Sequence, residues 1–571
     1  MINVEYPVIS VNRFLYIKDI MTKRKIFISV VVIALFLTSL SRFYTGIRDA
    51  AITPDEFFSS DTMYIPALYR DLVKDGYLLS GWKLPPAPCF FPDMPVYFFS
   101  AYFTSDVESS MALYGVIYIS VFLIVLTLLF SELSIKKNIA EGFLTAAASS
   151  VFVLTLFISD VNAGALRQIV IPSIHGGAVM TSLFLLWIMI RWMERGGTIL
   201  EIAIYAVSFA GFISDRMLIP TYMVPASGML LFDAVVKRKL RSVRMLLLSL
   251  AVYGISLYFM QYVTDRKYFN AADINLDVSE YAGAVLFRWE SVIQFIKNIN
   301  PSDDFGRIFI LFYAIFFVSL IVISIFIFSR SSSIIRMKSI VTKYIRNGKV
   351  NSFDGYALNS IKRLLLFMLI LYIVYPPLAV VTIVRMNIAE NVARYFNILF
   401  FVPLFGVPLL LEMLKKGAGI IFSGILFTSV VIFEIYFFPP SPHDKAIPAK
   451  NVAMCMDVLS DKYNFSHGLS DYWNAKSITM FSKRIRIFQA AEDLSMFYWV
   501  NNIDWYIQEA GNYQFIITDR LKKPAIVYLF GNPDFVEYCG KSEIYIYSGN
   551  MNLRNYWSAD SVRLWRKLTA N

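Results

Sequence analysis

Long apolar segments recur along the first three quarters of the chain, and short polar connections separate them. A helix needs about 20 apolar residues to cross the hydrocarbon core of a bilayer. Segments of this kind predict eleven membrane-spanning helices within residues 1–438, and Pro220 and Pro225 predict a kink in the sixth. The predicted spans are 26–43, 112–131, 142–159, 177–193, 199–213, 217–236, 245–264, 307–329, 363–385, 395–413 and 418–438.

Residues 439–571 follow a different, mixed pattern. They begin with Pro439, Pro440 and Pro442, where a helix cannot continue. Short apolar segments predict strands at 478–481, 513–518, 525–529 and 543–547, and helices at 452–459 and 494–501. The predicted fold class is therefore an α-helical polytopic membrane protein of about eleven helices with a small C-terminal extracytoplasmic α/β domain.

The composition agrees with a membrane protein. Hydrophobic residues make up 57% of the 571 positions and charged residues only 17%. A typical soluble domain has about 25% charged residues, so the composition excludes a soluble enzyme, a disordered chain and a fibrous repeat.

The net charge of +11 is explained by topology. If the N-terminus is cytoplasmic, the inner connections are shorter than the outer ones and still contain more Lys and Arg residues, as the positive-inside rule requires. This distribution predicts a cytoplasmic N-terminus, a periplasmic C-terminal domain and no nucleic-acid partner. A polar stretch of about 25 residues precedes the first span. We therefore interpret this span as a signal anchor.

The three cysteines all fall on the predicted outer side. Cys455 and Cys539 lie in the terminal domain and Cys89 in the first outer loop, 44–111. In an oxidising periplasm a disulfide between Cys455 and Cys539 is expected, and the alternative is two unpaired buried thiols.

Candidate chemistry concentrates in the first outer loop. The spans are nearly free of ionisable residues in their interiors, whereas this loop has carboxylates among prolines and aromatic residues at the edge of the bilayer: Asp55, Glu56, Asp61 and Asp93. A carboxylate held near apolar groups can act as a general base or bind a cation. For a single Asp, a turn or N-cap role is the alternative.

This arrangement resembles the GT-C class of polytopic glycosyltransferases. The matching residues are Asp61, which precedes an amphipathic stretch at 64–72, and Asp93 in Phe90-Phe91-Pro92-Asp93. The resemblance also covers the acidic first loop, the basic inner loops and the outer terminal domain, and it is strongest for bacterial enzymes that glycosylate surface polysaccharide or lipid.

The resemblance implies a sugar donor on a polyprenyl phosphate, such as undecaprenyl phosphate, and a glycan or lipid acceptor such as lipopolysaccharide. One acid would accept the proton of the acceptor hydroxyl while the anomeric carbon inverts. Asp55/Glu56 and Asp61 compete for this role. Some members of the class use a divalent cation, Mg or Mn, and the sequence leaves metal use open.

Residues for binding the donor phosphate are predicted in other outer connections. Arg167 and His175 precede the glycines that open the fourth span, where free N–H groups favour an anion. Arg216 follows Asp215, and the alternative there is a local ion pair. Arg394 and Tyr395 precede a late span, where Arg394 is either a phosphate clamp or an interface anchor.

Two other functions remain open from the sequence. An O-antigen type polymerase or ligase also joins lipid-linked sugars, but it typically concentrates function in large central loops. A lipid or polysaccharide flippase is expected to line an internal cavity with charges, which these apolar spans do not favour.

Overall fold

The structure, a computed structural model, describes a helical membrane part and an α/β terminal domain. It describes residues 9–49, 52, 54–133, 139–158, 168–265, 270–271, 321, 362–375, 378, 447–508, 512–549, 553, 556–558 and 561–563. The predicted spans at 307–329, 395–413 and 418–438 therefore lie wholly or almost wholly outside the described residues, as does most of the loop at 265–306.

The first seven predicted spans fall on helices. The long helices are α1 (Ile9–Arg48), α5 (Val107–Leu133), α6 (Ile139–Ile158), α7 (Gly176–Arg195), α8 (Thr198–Ser214), α9 (Val224–Lys237) and α10 (Leu240–Asp265). Five segments among the described residues are long and apolar enough to cross a membrane: Ile26–Arg48, Val107–Glu132, Gly176–Arg195, Ile219–Val236 and Leu240–Thr264. Of the ninth predicted span, residues 363–375 are helical.

The kink predicted at Pro220 and Pro225 corresponds to a change of helix type. Residues Ile219–Met223 form a π-helix, and α9 begins directly after it at Val224. Proline has no N–H and cannot complete the normal α-helical ladder, so the extra residue per turn is accommodated here. On α9, the buried Asp233 accepts a 3.0 Å hydrogen bond from Arg363, which ties α9 to the helical residues 362–375.

The first loop is folded into short elements. They are α2 (Pro54–Phe57), α3 (Tyr64–Tyr69), the π-helix Arg70–Asp75, the strand β1 (Lys83–Leu84) and α4 (Asp93–Tyr102). β1 pairs in parallel with β2 (Asn270–Ala271). Near its C-terminal end α4 exposes Phe99 and Tyr102, and Phe103 follows exposed. Exposed aromatic side chains next to a span are typical of a membrane interface.

The terminal domain contains a five-stranded mixed sheet flanked by helices. Its elements are α11 (Pro448–Tyr463), β3 (His467–Ser470), α12 (Tyr472–Phe481), β4 (Arg486–Gln489), α13 (Ile503–Gln508), β5 (Tyr513–Ile517), α14 (Lys523–Phe530), β6 (Phe535–Cys539) and β7 (Ser542–Ile546). The strand order is β4-β3-β5-β7-β6; β4, β3 and β5 are parallel, and β7 is antiparallel to both β5 and β6.

Part of the predicted pattern of this domain is correct. The strands at 513–518 and 543–547 are β5 and β7, and the helix at 452–459 lies within α11. The sulfur atoms of Cys455 on α11 and Cys539 on β6 are joined in a disulfide that closes a sequence separation of 84 residues. Cys89 is a buried free thiol.

Three predicted segments of this domain are wrong. Residues 478–481 end the helix α12, whose buried Ala475, Ile478 and Thr479 follow helical spacing. Residues 525–529 lie inside α14, where Pro524 stands in the first turn, a helix-start signal. The helix predicted at 494–501 does not form, because Leu494 and Val500 have left-handed backbone angles with φ of 68° and 50°.

The terminal domain packs directly on the first loop. Phe58 contacts Phe481 at 5.5 Å between ring centroids, and Trp82 contacts Trp505 at 5.4 Å. The backbone N–H of Lys83 donates to the Asn501 carbonyl at 2.9 Å. The first loop is therefore covered by the terminal domain on one side and anchored to the membrane helices on the other.

Candidate active site in the first loop

Asp93 is buried where the first loop meets the membrane helices. It begins α4, and its Oδ1 accepts a 2.7 Å hydrogen bond from the Tyr114 hydroxyl on α5. The backbone N–H of Ser173 also donates to the carboxylate. One turn along α5 from Tyr114, the Tyr118 hydroxyl donates to the Gly176 carbonyl. Two tyrosine hydroxyls on one face of α5 therefore hydrogen-bond Asp93 and the first residue of α7.

The Asp93 carboxylate lies against the N-terminus of α7. A Cβ atom added to Gly177 would be 2.9 Å from both carboxylate oxygens, so only glycine leaves this space. Helix N-termini attract negative charge, and here the anion next to the helix end is a side chain of the protein. The glycines predicted to meet the donor phosphate are therefore the packing surface of Asp93.

His175 caps the same helix and pairs with a second buried acid. Its Nδ1 lies 2.7 Å from Oδ2 of Asp215, which follows α8. The other oxygen of Asp215 accepts the backbone N–H of Met217 at 2.9 Å. The Asp215–Arg216 ion pair considered from the sequence is not what the described residues show, because His175 and Met217 satisfy Asp215 instead.

Electrostatics distinguish this pocket from ordinary loop surface. Burial raises the pKa of Asp93 to about 6; the Tyr114 hydrogen bond lowers it, and the nearby Asp215 carboxylate raises it. Burial also raises the pKa of the Cys89 thiol, which the carboxylates of Asp93 and Asp215 raise further. Perturbed groups of this kind, gathered in one place, are typical of functional sites.

Asp61 lies on the other side of the Ser173 turn and is only half-buried. Its carbonyl oxygen accepts a 3.0 Å hydrogen bond from the Ser173 hydroxyl. Ser173 therefore links the two acids that the sequence singled out, through its hydroxyl to Asp61 and through its N–H to Asp93. On its carboxylate, Asp61 accepts a hydrogen bond from the Tyr472 hydroxyl of the terminal domain.

The remaining predicted residues are only partly placed. Glu56 is half-buried on α2, and of Asp55 the structure describes the helical backbone and not the side chain. Arg216 is half-buried in the turn after Asp215. The other predicted phosphate-binding residues lie outside the described residues: Arg167, Arg394 and Tyr395.

Several residues at this site were not predicted. The sequence does not single out Tyr114 or Ser173, and it indicates Asp215 only as a partner for Arg216. Tyr114 and Tyr118 stand four residues apart near the start of an apolar helix, a polar pair that helical spacing places on one face. That spacing was the available signal. The contributions of Tyr472 and Ser173 had no local signal.

A third buried acid, Asp71, marks the joint between the first loop and the terminal domain. Its Oδ2 accepts N–H groups from Trp82 at 3.0 Å, Asn502 at 2.9 Å and Trp505 at 2.8 Å. Its Oδ1 is buried and has no hydrogen-bond partner among the described residues. Burial raises the pKa of Asp71 to about 6, against the lowering effect of the Asn502 hydrogen bond.

A cavity of about 600 Å³ lies beside this joint. It is bounded by α3, α4, the start of α5 and the terminal helices α11 and α12. Its charged lining residues are Arg70, Lys74, Asp106, Glu108, Lys450, Asp457 and Lys483. The cavity is large enough for a small ligand, such as part of a saccharide.

The acids do not form a recognisable metal site. Among the described residues, no group of three or more His, Cys, Asp or Glu side chains is arranged to hold a metal ion. Hard cations such as Mg²⁺ need several oxygen ligands in near-octahedral geometry. The proposed reaction is therefore written without a metal ion.

Together these elements define a polytopic membrane protein whose first loop carries a buried acid cluster beneath an α/β domain. No protein-family model matches the chain, and no curated protein sequence matches it. Among solved structures, the chain is similar to the crystal structure of ArnT from Cupriavidus metallidurans in the apo state, with 10% identity and a TM-score of 0.40. That similarity covers 92% of this chain and 98% of the other. A likeness at this level assigns no activity to the chain.

Proposed function

We propose that the protein is a membrane glycosyltransferase of the GT-C class. It transfers a sugar from a polyprenyl-phosphate donor, such as undecaprenyl phosphate, to a surface glycan or lipid. The observation that supports this most is the meeting of Asp61, Asp93 and the His175–Asp215 pair around the Ser173 turn. Acids gathered at the ends of membrane helices suit a reaction between lipid-anchored substrates.

Asp61 is the better candidate for the general base. Asp93 is 2% exposed and is hydrogen-bonded on Oδ1, so an acceptor hydroxyl has little access to it. Asp61 is half-buried and faces the terminal domain. A general base must reach within about 3 Å of the proton that it removes, and of the two acids Asp61 is the one that a substrate can approach.

The proposed reaction is a single displacement. The acceptor oxygen forms a bond to the anomeric carbon while the bond from that carbon to the phosphate oxygen breaks. The acceptor proton passes to Asp61, and the leaving group departs as polyprenyl phosphate. Asp93 does not touch the substrate in this scheme; it fixes the turn that contains Ser173 and His175.

Positive groups near the leaving phosphate complete the proposal. Because Asp93 occupies the N-terminal end of α7, the cations rather than the helix N–H groups stabilise the phosphate. Arg216 and His175 are the described candidates, and Arg167 and Arg394 with Tyr395 are further candidates from the sequence. Asp55 and Glu56 remain alternatives for the base from the sequence.

We place the protein in the bacterial inner membrane, with the N-terminus in the cytoplasm and the terminal domain, 439–571, in the periplasm. The distribution of Lys and Arg supports this orientation. The Cys455–Cys539 disulfide also supports it, because disulfides persist in oxidising compartments.

The test compares surface glycans and lipids by mass spectrometry in cells with the gene, without it, and with variants. Deletion should remove one sugar mass, and this mass identifies the donor. Asp61→Asn should lower its transfer at least about a hundredfold at normal protein level, because general-base catalysis contributes about 10²–10⁴-fold. The matched control is Asp461→Asn, an exposed acid paired with Arg484 on the terminal domain.

Three outcomes would contradict the proposal: one concerns the base, and the other two would be those of a flippase and of a polymerase or ligase. Full glycosylation by Asp61→Asn at normal protein level would remove Asp61 from the chemistry. A flippase would move the lipid-linked sugar without releasing polyprenyl phosphate, and a polymerase or ligase would change the chain length of the glycan and not a single sugar.

A further inference from the structure

The terminal domain places two side chains against Ser60 and Asp61 of the first loop. Tyr472 and Lys476 stand one turn apart on α12 and therefore on the same face of that helix. The Tyr472 hydroxyl donates to Oδ1 of Asp61. The ammonium of Lys476 donates to the carbonyl oxygen of Ser60, the neighbour of Asp61, at 3.3 Å.

Lys476 is an unusual residue for a domain core. Its side chain is 3% exposed, whereas lysines are almost never fully buried without a partner. Its ammonium lies 5.0 Å from the centroid of the Tyr472 ring, within the range of a cation–π interaction. Asp61 is the negative charge that acts on it, and Arg70 lines the same small space from the π-helix that follows α3.

The surroundings hold this pair in one geometry. The Ser60 hydroxyl donates to the Trp473 carbonyl at 2.7 Å and lies 3.2 Å from the Ser477 hydroxyl. The Tyr472 ring contacts Trp473 at 5.2 Å and Phe497 at 6.0 Å between centroids. The contact between α12 and residues 60–61 is therefore polar, buried and specific, unlike an adventitious surface contact.

We propose that Tyr472 and Lys476 of the terminal domain are positioning residues for the base Asp61, so that the active site is complete only when this domain is docked. The proposal rests on the proposed function. Tyr472 fixes the rotation of the Asp61 carboxylate through Oδ1, and Lys476 fixes the backbone at Ser60 and the ring of Tyr472. Burial lowers the pKa of Lys476 to about 7, so near neutral pH part of its population is uncharged.

The experiment uses the full-length protein in lipid nanodiscs. The probe is a tritium-labelled undecaprenyl-phosphate sugar, the sugar being the one that disappears on gene deletion, and transfer to membranes of the deletion strain is measured. Tyr472→Phe should lower kcat about tenfold with little change in KM. The acidic limb of its pH–rate profile should move to higher pH, because the carboxylate loses a hydrogen bond that favours its charged form.

Lys476→Met should move the acidic limb in the same direction, because a nearby positive charge is lost while the side-chain volume is kept. The matched control is Tyr498→Phe. Tyr498 also belongs to the terminal domain and donates to a first-loop carbonyl, that of Gly81, at 2.7 Å. It should keep the wild-type kcat and pH profile.

The outcomes separate the two proposals. If Asp61→Asn is inactive but Tyr472→Phe and Lys476→Met both behave like Tyr498→Phe, the positioning role is wrong and the proposed function stands. If Asp61→Asn is fully active, the proposed base is wrong. If both variants lower kcat without moving the pH profile, they act only on folding, and the positioning role is again overturned.

Discussion

Asp71 and Asp93 are two buried acids of one loop with opposite kinds of neighbour. Burial raises the pKa of each to about 6. Asp71 accepts three neutral N–H groups on one oxygen, and all three come from aromatic rings or an amide. Asp93 has a second carboxylate, that of Asp215, among its neighbours. Equal burial thus accompanies two different environments.

The difference shows why burial alone does not identify a reactive acid. The donors around Asp71 belong to both the loop and the terminal domain, so they form a joint that holds two parts together. The charges of Arg70 and Arg486 near Asp71 are positive, whereas the Asp215 carboxylate near Asp93 is negative, and Asp93 lies at the turn between membrane helices. We therefore assign Asp71 to assembly and Asp93 to the organisation of the active site.

The largest expected effect separates these roles directly. Asp93→Asn should lower sugar transfer about a hundredfold, because the amide replaces one acceptor oxygen with an NH₂ group in a pocket where Tyr114 and Ser173 are donors. Asp71→Asn should stay within about twofold of wild type, because the amide oxygen still accepts the N–H groups of its neighbours. Transfer is measured at matched protein level; equal losses in both variants would end the distinction.

A second prediction concerns pH and stability. The pKa of Asp71 rises from 3.8 to about 6 in the folded chain, so the folded state binds this proton more tightly. Its contribution to stability is therefore complete below about pH 4 and is lost as pH rises through 6, by about 3 kcal/mol in all.

Asp71→Asn removes this titrating group. The measurement is the melting temperature of each protein in nanodiscs between about pH 4.5 and 7.5. The melting temperature of the wild type should fall more steeply with pH than that of the variant. Asp93 titrates in the same direction and leaves a residual slope in both proteins. The Asp461→Asn control should keep the wild-type slope, and identical slopes for Asp71→Asn and wild type would contradict the assignment.

The smallest expected effect tests the contact between Asp93 and α7. Gly177→Ala would bring a Cβ atom to 2.9 Å from the Asp93 oxygens and 2.8 Å from Cδ of Pro92, and the acid must shift. Transfer should fall about tenfold, equivalent to about 1.4 kcal/mol. Gly254→Ala is the control, since its added Cβ has nothing within 4 Å. A wild-type rate for Gly177→Ala would show that this contact does not position Asp93.

Much of the membrane part follows from local physics. Apolar length alone located helices at the first seven predicted spans, because the bilayer thickness sets the length of an apolar helix. The sequence also singles out the first loop, where the structure places the buried acids Asp71 and Asp93. Ser173 hydrogen-bonds both Asp61 and Asp93. No pattern in the sequence between residues 61 and 173 predicts these contacts.

The failures have a common cause in long-range contacts. Strand-like composition at 478–481 predicted a strand, but burial against the sheet and the first loop selects a helix there. His175 pairs with Asp215, 40 residues away in the chain, and no local pattern indicates this partner. Partners so distant in sequence leave no periodic pattern to read.

The contact between Asp61 and Tyr472 also sets a schedule for synthesis. The two residues are 411 positions apart. A ribosome adding about 5–20 residues per second needs roughly 20–80 s to proceed from the first to the second. During this interval the helices around Asp93 can insert and pack. The Asp61 carboxylate does not yet have the Tyr472 hydroxyl as its hydrogen-bond donor. On the proposed function, the newly inserted protein should therefore stay inactive until its terminal domain has been made and has closed over the loop.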